Sequence, residues 1–586
     1  MKTKSPSKTE SSSNLEKIFL ILLFILSVFT IADNYLILEK DTTPFVYDML
    51  NIYLLSKDYF EYVKEGNMEA IFYKFNKEYY HSYPPFLIFQ SIPFYFLFGV
   101  SEDSASFSNS IHILLLLIST YLIGKRLENS YIGILSAIIL LFIPGRISFS
   151  RVYLPDFALA SFVALGVVFL LYSEFFYKTV YSVLFGITFG LGLLTKWNFF
   201  QYILPFMFIY AIDYFLKKNR NKTTVIEKKQ IINILLSFVI IIVIIYPWYI
   251  NNLPKLIKMV SNVPMHNRLR FFSGKNIAEI WMIVGWEYFF VYGLGNFFRY
   301  YLFLIIISSI YLVYKTYKNN SKSLIERVVY VSYYFLVPII SFFPYLNLPS
   351  NPRYLLPLLP LFSIPTGVML YDISKAGYKI VIQNINIDHK KFFIGFIIII
   401  MIICSVYTVI IIKTEKSTAD PTTLYWKGLY VPGKGLDDSL IINTIKNLTS
   451  KTEQKDFRVV SLQSSIVMTN VAQKLRREYN FQVYEPIFCL TRPNIDIKHP
   501  DIDCLPNFSS RVICDADILI DSNKHLTIHD ETDLKKYFPE RFQLAEDILD
   551  TWNGCKNKFI LSHTIKEIPL EDKLNSVIYI YSKNNT

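Results

Sequence analysis

The feature that most constrains this chain is a series of long apolar runs separated by short polar loops. Runs of about twenty apolar residues are typical of helices that cross a lipid bilayer, because a helix satisfies its own backbone hydrogen bonds there. Hydrophobic residues make up 52% of the 586 residues. The sequence therefore predicts a polytopic α-helical membrane protein with eleven spans, at residues 18–38, 107–124, 131–145, 155–172, 179–194, 198–216, 231–250, 297–316, 327–344, 353–372 and 392–413.

The lysines and arginines predict which loops face the cytoplasm. With residues 1–17 placed inside as a cytoplasmic tail, the basic loops 125–130, 217–230 and 373–391 also fall inside, as the positive-inside rule requires. The net charge of +12 then reflects topology, and we expect no nucleic-acid binding. The first apolar run is longer than the core of a signal peptide and lacks a small-residue cleavage site, so we expect it to remain as a span.

The first outer loop, residues 39–106, is much longer than most connections between neighbouring spans. It includes an apolar segment, residues 86–98, which is too short to span and follows Pro84 and Pro85. Counting this segment as a span would place the lysine-rich residues 217–222 outside. We therefore predict that residues 86–98 form a re-entrant or interfacial segment, accompanied in this loop by interfacial helices.

With this topology, polar side chains from distant parts of the chain gather at the outer ends of the spans. Charged groups at membrane depth often mark function, so a cluster on one face indicates an active site. The candidates are Asp48, His81, Arg151, Asp156, Lys196, Trp248 and Arg353.

Simpler interpretations of these residues stay open. Asp48, among aromatic residues near the bilayer surface, suits general-base work on a hydroxyl, but it also suits a helix N-cap. Asp156 can serve the dipole of the span that it begins, and Arg353 can reach from a span end to the interface. His81 alone is no metal site. The aromatic residues around 71–98 can stack on sugars or form an interfacial belt.

The tail, residues 414–586, changes in character. Strand-length apolar runs at residues 457–462, 481–484, 516–520 and 577–581, with a helix at 464–478, predict an extracytoplasmic α/β domain. No glycine-rich phosphate loop precedes the helix, so nucleotide binding is not predicted. The tail holds four of the five cysteines, and one or two disulfides, or unpaired buried thiols, are open interpretations for Cys489, Cys504, Cys514 and Cys555.

Taken together, several motifs in the right order resemble the GT-C glycosyltransferases that use lipid-phosphate sugars, such as the dolichyl-phosphate-mannose protein mannosyltransferases and the lipid A aminoarabinose transferase. The resemblance covers about residues 18–372. It rests on Asp48 after the first span, Tyr83-Pro84-Pro85-Phe86, Arg151 followed by Asp156, the runs 190–197 and 246–250, and the run 352–357 around Arg353.

The resemblance implies a role for each candidate. Asp48 would be the general base and Asp156 the second acidic residue of the site. The donor phosphate would be bound by Arg353, Lys196 and Arg151, and the substrates would be positioned by His81, Tyr83 and Trp248. One departure is that Met49 follows Asp48 where the family commonly has an acidic or amide residue. No cofactor is expected, although a divalent metal ion stays open.

The function implied is that of an inverting glycosyltransferase, which moves a sugar from a polyprenyl phosphate to an acceptor hydroxyl on the extracytoplasmic membrane face. Its partners would be the lipid-linked sugar, a protein, lipid or glycan acceptor, and membrane lipids. The alternative is a polytopic transporter or flippase of lipid-linked sugars. A transporter predicts charges near the bilayer midplane and repeats with broken helices, whereas here the ionisable groups lie at span ends.

Overall fold

The structure is a computed structural model that describes residues 7–39, 45, 48–71, 83–220, 226–272, 301–318, 323–342, 352–382, 388–416, 438–450, 458–462, 471, 475, 482–484, 516–522, 549–550, 552–569 and 575–583. These residues form two compact units. The first contains the described residues up to 416 except 45 and 48–54. The second contains residues 45 and 48–54 and the described residues from 438 onwards.

Helices dominate the chain up to residue 416. In chain order they are α1 (Ser7–Leu38), α2 (Asp48–Lys64), α3 (Phe86–Phe98), α4 (Glu102–Ser108), α5 (Ile111–Leu127), α6 (Ser130–Leu141), α7 (Pro144–Phe149), α8 (Pro155–Tyr172), α9 (Thr179–Thr195), α10 (Phe199–Arg220), α11 (Lys228–Phe272), α12 (Tyr301–Lys318), α13 (Leu324–Ser332), α14 (Leu336–Phe342), a 3₁₀ segment (Pro352–Leu358), α15 (Leu359–Ile382) and α16 (His389–Lys416).

Seven stretches of helix within the described residues are long and apolar enough to cross a membrane. They are Glu16–Leu38, Glu102–Leu127, Pro155–Tyr172, Phe199–Asn219, Lys228–Ile257, Arg353–Val381 and His389–Ile410. Each contains or overlaps a predicted span, which confirms the polytopic helical class.

The other four predicted spans correspond to less regular helices. The span predicted at 131–145 is shorter, because α6 ends at Leu141 and α7 begins at Pro144. The span at 179–194 is the 17-residue α9. The span at 327–344 is divided between α13 and α14 by turns at residues 333–335, and the one at 297–316 is described from Tyr301.

Contacts along α1 separate the two ends of the first unit. Near one end of this helix, Glu16 accepts hydrogen bonds from Lys125 and Ser130, each of 2.8 Å. Near its other end, Asn34 donates to Ser110 over 3.2 Å. The loop 125–130 and residue 110 therefore lie at opposite ends of the bundle, as the predicted alternation requires, while the side that faces the cytoplasm stays a prediction.

Small residues let the helices of this bundle approach closely. A Cβ atom on Gly133 of α6 would lie 2.4 Å from the backbone oxygen of Tyr121 in α5. On the same helix, Ser136 faces Gly367 of α15, where a Cβ atom would lie 2.4 Å from the serine Oγ. Membrane helices pack in this way because lipid gives no hydrophobic drive, so close backbone contact supplies the attraction.

Helix α3 is the segment that the sequence analysis left out of the spans. Its 13 residues extend about 20 Å at 1.5 Å per residue, which is less than the thickness of the hydrocarbon core. Its end is exposed at Phe96, Leu97 and Phe98, whereas Leu87 and Ile88 are buried. Helix α3 is thus short, with a buried base and an apolar exposed tip, and its re-entrant or interfacial placement stays a prediction.

The second unit contains a five-stranded sheet in the order β2-β1-β3-β5-β4. Its strands are β1 (Arg458–Ser461), β2 (Gln482–Tyr484), β3 (Ile518–Ser522), β4 (Phe559–Pro569) and β5 (Asn575–Lys583), and a helix, α17 (Asp438–Thr449), precedes them. Strand β1 is parallel to β2 and β3, whereas β5 is antiparallel to β3 and β4. The four predicted strands and the α/β class are confirmed, and β4 was not predicted.

The core of this sheet includes Val460, Leu519 and Tyr581, which pack with Trp552 and Cys555. Cys555 is disulfide-bonded, which confirms for this residue the interpretation that the tail is oxidised. The other three tail cysteines lie outside the described residues. Cys404, in α16, is a buried free thiol. Of the helix predicted at 464–478, Val471 and Leu475 are described, and both are helical.

Candidate active site

A buried cluster of three charged side chains lies in the first unit. Lys196 Nζ donates to Asp156 Oδ1 over 2.6 Å, and Arg353 Nε lies 3.9 Å from Asp156 Oδ2. All three are buried: Asp156 is 1% exposed, Lys196 is 3% exposed and Arg353 is 9% exposed. The structure thus brings together three residues that the sequence analysis had chosen from distant positions.

Each member of the cluster occupies the end of a helical element. Asp156 follows Pro155, the first residue of α8, so its carboxylate lies in the first turn, where the helix dipole favours a negative charge. Lys196 comes directly after α9 in an extended conformation, with φ −157° and ψ 132°. Arg353 is the second residue of the 3₁₀ segment, which packs against α8. Helix ends from three parts of the chain therefore meet at one carboxylate.

Two tyrosine rings flank the lysine of this cluster. The ammonium of Lys196 lies 5.5 Å from the ring centre of Tyr83 and 5.1 Å from that of Tyr354. The Tyr354 ring also lies 5.4 Å from Arg353 Cζ, and the Tyr354 backbone oxygen accepts a 2.9 Å hydrogen bond from Tyr202. Cations over aromatic faces are stabilised when they are desolvated. Tyr83, a predicted positioning residue, therefore belongs to the same cluster.

The charge balance of the cluster determines what it can bind. Among the three buried side chains of the cluster, one carboxylate faces two cations. Within the described residues, Asp156 Oδ2 accepts no hydrogen bond. A buried net charge is costly unless a counter-ion compensates it, and guanidinium and ammonium groups are the usual partners of phosphate oxygens. The arrangement is suited to a singly charged oxyanion.

Arg151 binds a different carboxylate. Its Nη2 donates to Asp33 and its Nε to Asn34 Oδ1, both over 2.8 Å. The side chain is buried, and Asn34 also donates to Ser150 Oγ over 3.1 Å. These bonds attach the segment before α8 to the end of α1, which is a structural role that the spacing from Arg151 to Asp156 does not reveal.

The remaining predicted site residues are placed as follows. Asp48 is the first residue of α2, half-buried, and belongs to the second unit; the neighbouring apolar residues Met49 and Leu50 are buried. Trp248 lies within α11, 5% exposed, with its ring centre 4.8 Å from that of Tyr249. His81 lies outside the described residues. Within those residues, no group of three or more histidine, cysteine, aspartate and glutamate side chains could hold a metal ion.

A second buried group of hydrogen-bonded side chains, which includes Ser161 of α8, was not predicted. His112 Nε2 lies 2.7 Å from Gln90 Oε1, and His112 Nδ1 lies 2.6 Å from Ser161 Oγ. Gln90 also donates to the backbone oxygen of Ser108 over 2.8 Å. This group links α3 to α5 and α8. Its signal was present in the sequence, because a glutamine and a histidine inside apolar runs are uncommon in membrane proteins and need partners.

Residues 22–263 match the family model described as "Dolichyl-phosphate-mannose-protein mannosyltransferase". The match includes Asp48, Asp156 and Lys196 and ends before Arg353. No curated protein matches the chain.

Several solved structures are similar. ArnT from Cupriavidus metallidurans in the apo state has 13% identity and a TM-score of 0.48, over 97% of this chain and 98% of ArnT. The same protein bound to undecaprenyl phosphate has 12% identity and a TM-score of 0.49, with the same coverage. The Archaeoglobus fulgidus oligosaccharyltransferase has 14% identity and a TM-score of 0.47, over 78% of this chain, which spans 63% of that protein's length.

The family match coincides with the part of the chain that carries most of the motifs and two of the three clustered charges. Residues 22–263, less than half of the chain, are therefore similar to this mannosyltransferase family, in agreement with the resemblance inferred from those motifs.

Proposed function

We propose that this chain is an inverting glycosyltransferase that moves a sugar from a polyprenyl-phosphate donor to an acceptor hydroxyl on the extracytoplasmic membrane face. The observation that carries the proposal is the buried cluster of Asp156, Lys196 and Arg353, in which two cations meet one carboxylate at helix ends of a membrane bundle. The family match over residues 22–263 supports the same class of reaction.

The charge of the cluster agrees with the chemistry of such a donor. A polyprenyl-phosphate sugar is a phosphodiester with one negative charge, and loss of the sugar leaves a phosphomonoester that develops a second. Cations held in a dry site stabilise charge that develops in the transition state without the cost of reorienting water. Lys196 and Arg353 would bind the phosphate oxygens, with the stronger interaction in the transition state.

The transfer itself needs a base and an in-line attack. Asp48, by its place in the family motif, would take the proton of the acceptor hydroxyl while the acceptor oxygen bonds to the anomeric carbon. The bond from that carbon to the phosphate oxygen breaks, and the oxygen keeps the electron pair. A single displacement inverts the anomeric configuration. Every proton and electron is supplied by the two substrates and Asp48, so no redox cofactor is required.

Asp156 receives a narrower role than the motif alone suggested. Its carboxylate accepts a 2.6 Å hydrogen bond from Lys196, so one of its oxygens is already engaged by a cation. We propose that it fixes the Lys196 ammonium between the rings of Tyr83 and Tyr354 and keeps the net charge matched to one phosphate. It is thus a positioning residue, whereas Lys196 and Arg353 contact the donor.

The experiment is sugar transfer by the full-length chain in proteoliposomes that contain a set of polyprenyl-phosphate sugars. Asp48→Asn should abolish transfer with the protein still folded, while Lys196→Met should weaken donor binding and slow transfer. Lys315→Gln is the matched control, because Lys315 also pairs with a carboxylate, Asp372, but is 44% exposed.

Three outcomes would count against parts of the proposal. Transfer unaffected by Asp48→Asn would remove Asp48 as the base. Transfer equally reduced by Lys196→Met and Lys315→Gln would remove the cluster as the donor site. Translocation of the lipid-linked sugar across the bilayer without any transfer would favour the flippase.

A further inference from the structure

Arg146 is a buried cation that the proposed mechanism does not use. It lies in α7, the six-residue helix between α6 and α8, and is 2% exposed. Its Nη2 donates to the backbone oxygen of Leu141, at the end of α6. Within the described residues, its Nε and Nη1 have no hydrogen-bond partner. A guanidinium has five N–H donors, so most of its hydrogen-bonding capacity is unused.

An unsatisfied buried guanidinium is rare because it destabilises the fold. Each buried donor without a partner loses its bonds to water and gains nothing in return. Burial, assisted by the neighbouring charge of Arg151 and opposed by Asp33, lowers the pKa of Arg146 to about 9. A methionine would fill similar volume without these costs. The arginine therefore needs a reason other than stability of the empty protein.

The surroundings of Arg146 indicate what the missing partner is. Helix α7 packs against the 3₁₀ segment that carries Arg353 and against α8, which carries Asp156. The charges of Arg151 and Asp33 both act on Arg146, and Arg151 Nη2 is paired with Asp33 over 2.8 Å. An arginine with free Nε and Nη1 groups can bind the oxygens of a phosphate.

We propose that Arg146 is a second phosphate-binding residue, which turns from the Leu141 carbonyl to bind a phosphate oxyanion when ligand enters the site. The inference rests on the proposed function, since the ligand is expected to be the phosphate of a polyprenyl lipid. Rotation about the side-chain bonds would release the Leu141 carbonyl, and charge-assisted bonds to the phosphate would replace the lost bond.

The test measures thermal unfolding of the full-length chain in lipid nanodiscs, without ligand, with polyprenyl phosphate and with inorganic phosphate. Arg146→Met should raise the midpoint of the empty protein by roughly 2–4 °C, because an unpaired buried charge is removed. The same variant should bind polyprenyl phosphate at least about tenfold more weakly, whereas Arg146→Lys should retain part of the affinity. Arg126→Met is the control, because Arg126 is exposed and is paired with Glu174. It should change neither the unfolding midpoint nor the affinity for polyprenyl phosphate.

The outcomes separate the inference from the proposed function. A wild-type chain that polyprenyl phosphate does not stabilise would count against the proposed function itself. A stabilised wild type with equal binding in Arg146→Met would overturn only the role of Arg146. A Met variant that unfolds more easily, or does not fold, would show that Arg146 is a structural cap of Leu141 and would also overturn the inference. Inorganic phosphate that replaces the lipid in every effect would make the ligand free phosphate rather than a lipid headgroup.

Discussion

Removal of the Asp156 carboxylate is the most informative perturbation of the buried cluster. Asp156→Asn keeps the shape of the side chain but leaves Lys196 and Arg353 as two buried cations, where the native cluster has one in excess. Removing one partner of a buried ion pair typically costs about 3–5 kcal/mol. Lys196→Met should cost less, because the carboxylate then retains Arg353 at 3.9 Å and the net charge becomes zero.

The double variant measures the interaction energy between Asp156 and Lys196. In Asp156→Asn combined with Lys196→Met, only Arg353 remains charged, so the loss should fall short of the sum of the two single losses by about 2 kcal/mol, within the range measured for residues in contact. The assay is the shift of the unfolding midpoint, followed by tryptophan fluorescence in one detergent. Asp372→Asn is the control, because its pair with Lys315 is more exposed and is expected to contribute about 0–1 kcal/mol.

Two results would refute this reasoning. If Asp156→Asn destabilised the chain no more than Asp372→Asn, the carboxylate would not be needed to compensate buried cations. If the single losses were simply additive, Asp156 and Lys196 would not interact in the folded protein, despite the 2.6 Å separation of their polar atoms.

Three further predictions concern other parts of the chain. Gly133→Ala should prevent the close approach of α5 and α6 and reduce the yield of monodisperse protein on size exclusion, whereas Gly395→Ala, with nothing within 4 Å, should not. His112→Leu should destabilise the bundle by about 1–3 kcal/mol, because Gln90 loses a buried partner, and combining it with Gln90→Leu should recover part of the loss in a thermal melt. Cys555→Ser should destabilise the sheet domain by about 2–5 kcal/mol through loss of a disulfide, measured as increased sensitivity of that domain to limited proteolysis.

Residues at the ends of apolar runs were predictable from the sequence. A consistent alternation of spans places Asp156, Lys196 and Arg353 on one membrane face. In the structure, the charged groups of Lys196 and Arg353 both lie within 4 Å of the Asp156 carboxylate. Long apolar runs locate the ends of the spans well, and the polar residues at those ends can therefore be identified from the sequence.

Pairing between particular helices was not predictable in the same way. Arg151 precedes Asp156 by five residues, but this spacing does not predict the hydrogen bonds that Arg151 donates to Asp33 and Asn34 of α1. Periodicity specifies neither which helices are neighbours nor how each is rotated. Strand β4 was missed for a related reason, since its register with β5 is interrupted by irregularities that break the alternation of side chains.

The order in which the buried cluster is completed also follows from its positions in the chain. Asp156 and Lys196 belong to consecutive helices, so they can neutralise each other as a hairpin soon after synthesis, which lowers the cost of placing either charge in lipid. Arg353 is synthesised much later, so the pair can form before it arrives. We infer that the ion pair forms first during biogenesis and that Arg353 joins it when the later helices insert. A nascent chain interrupted before the 3₁₀ segment should consequently be able to enter the membrane with this ion pair formed and Arg353 still absent.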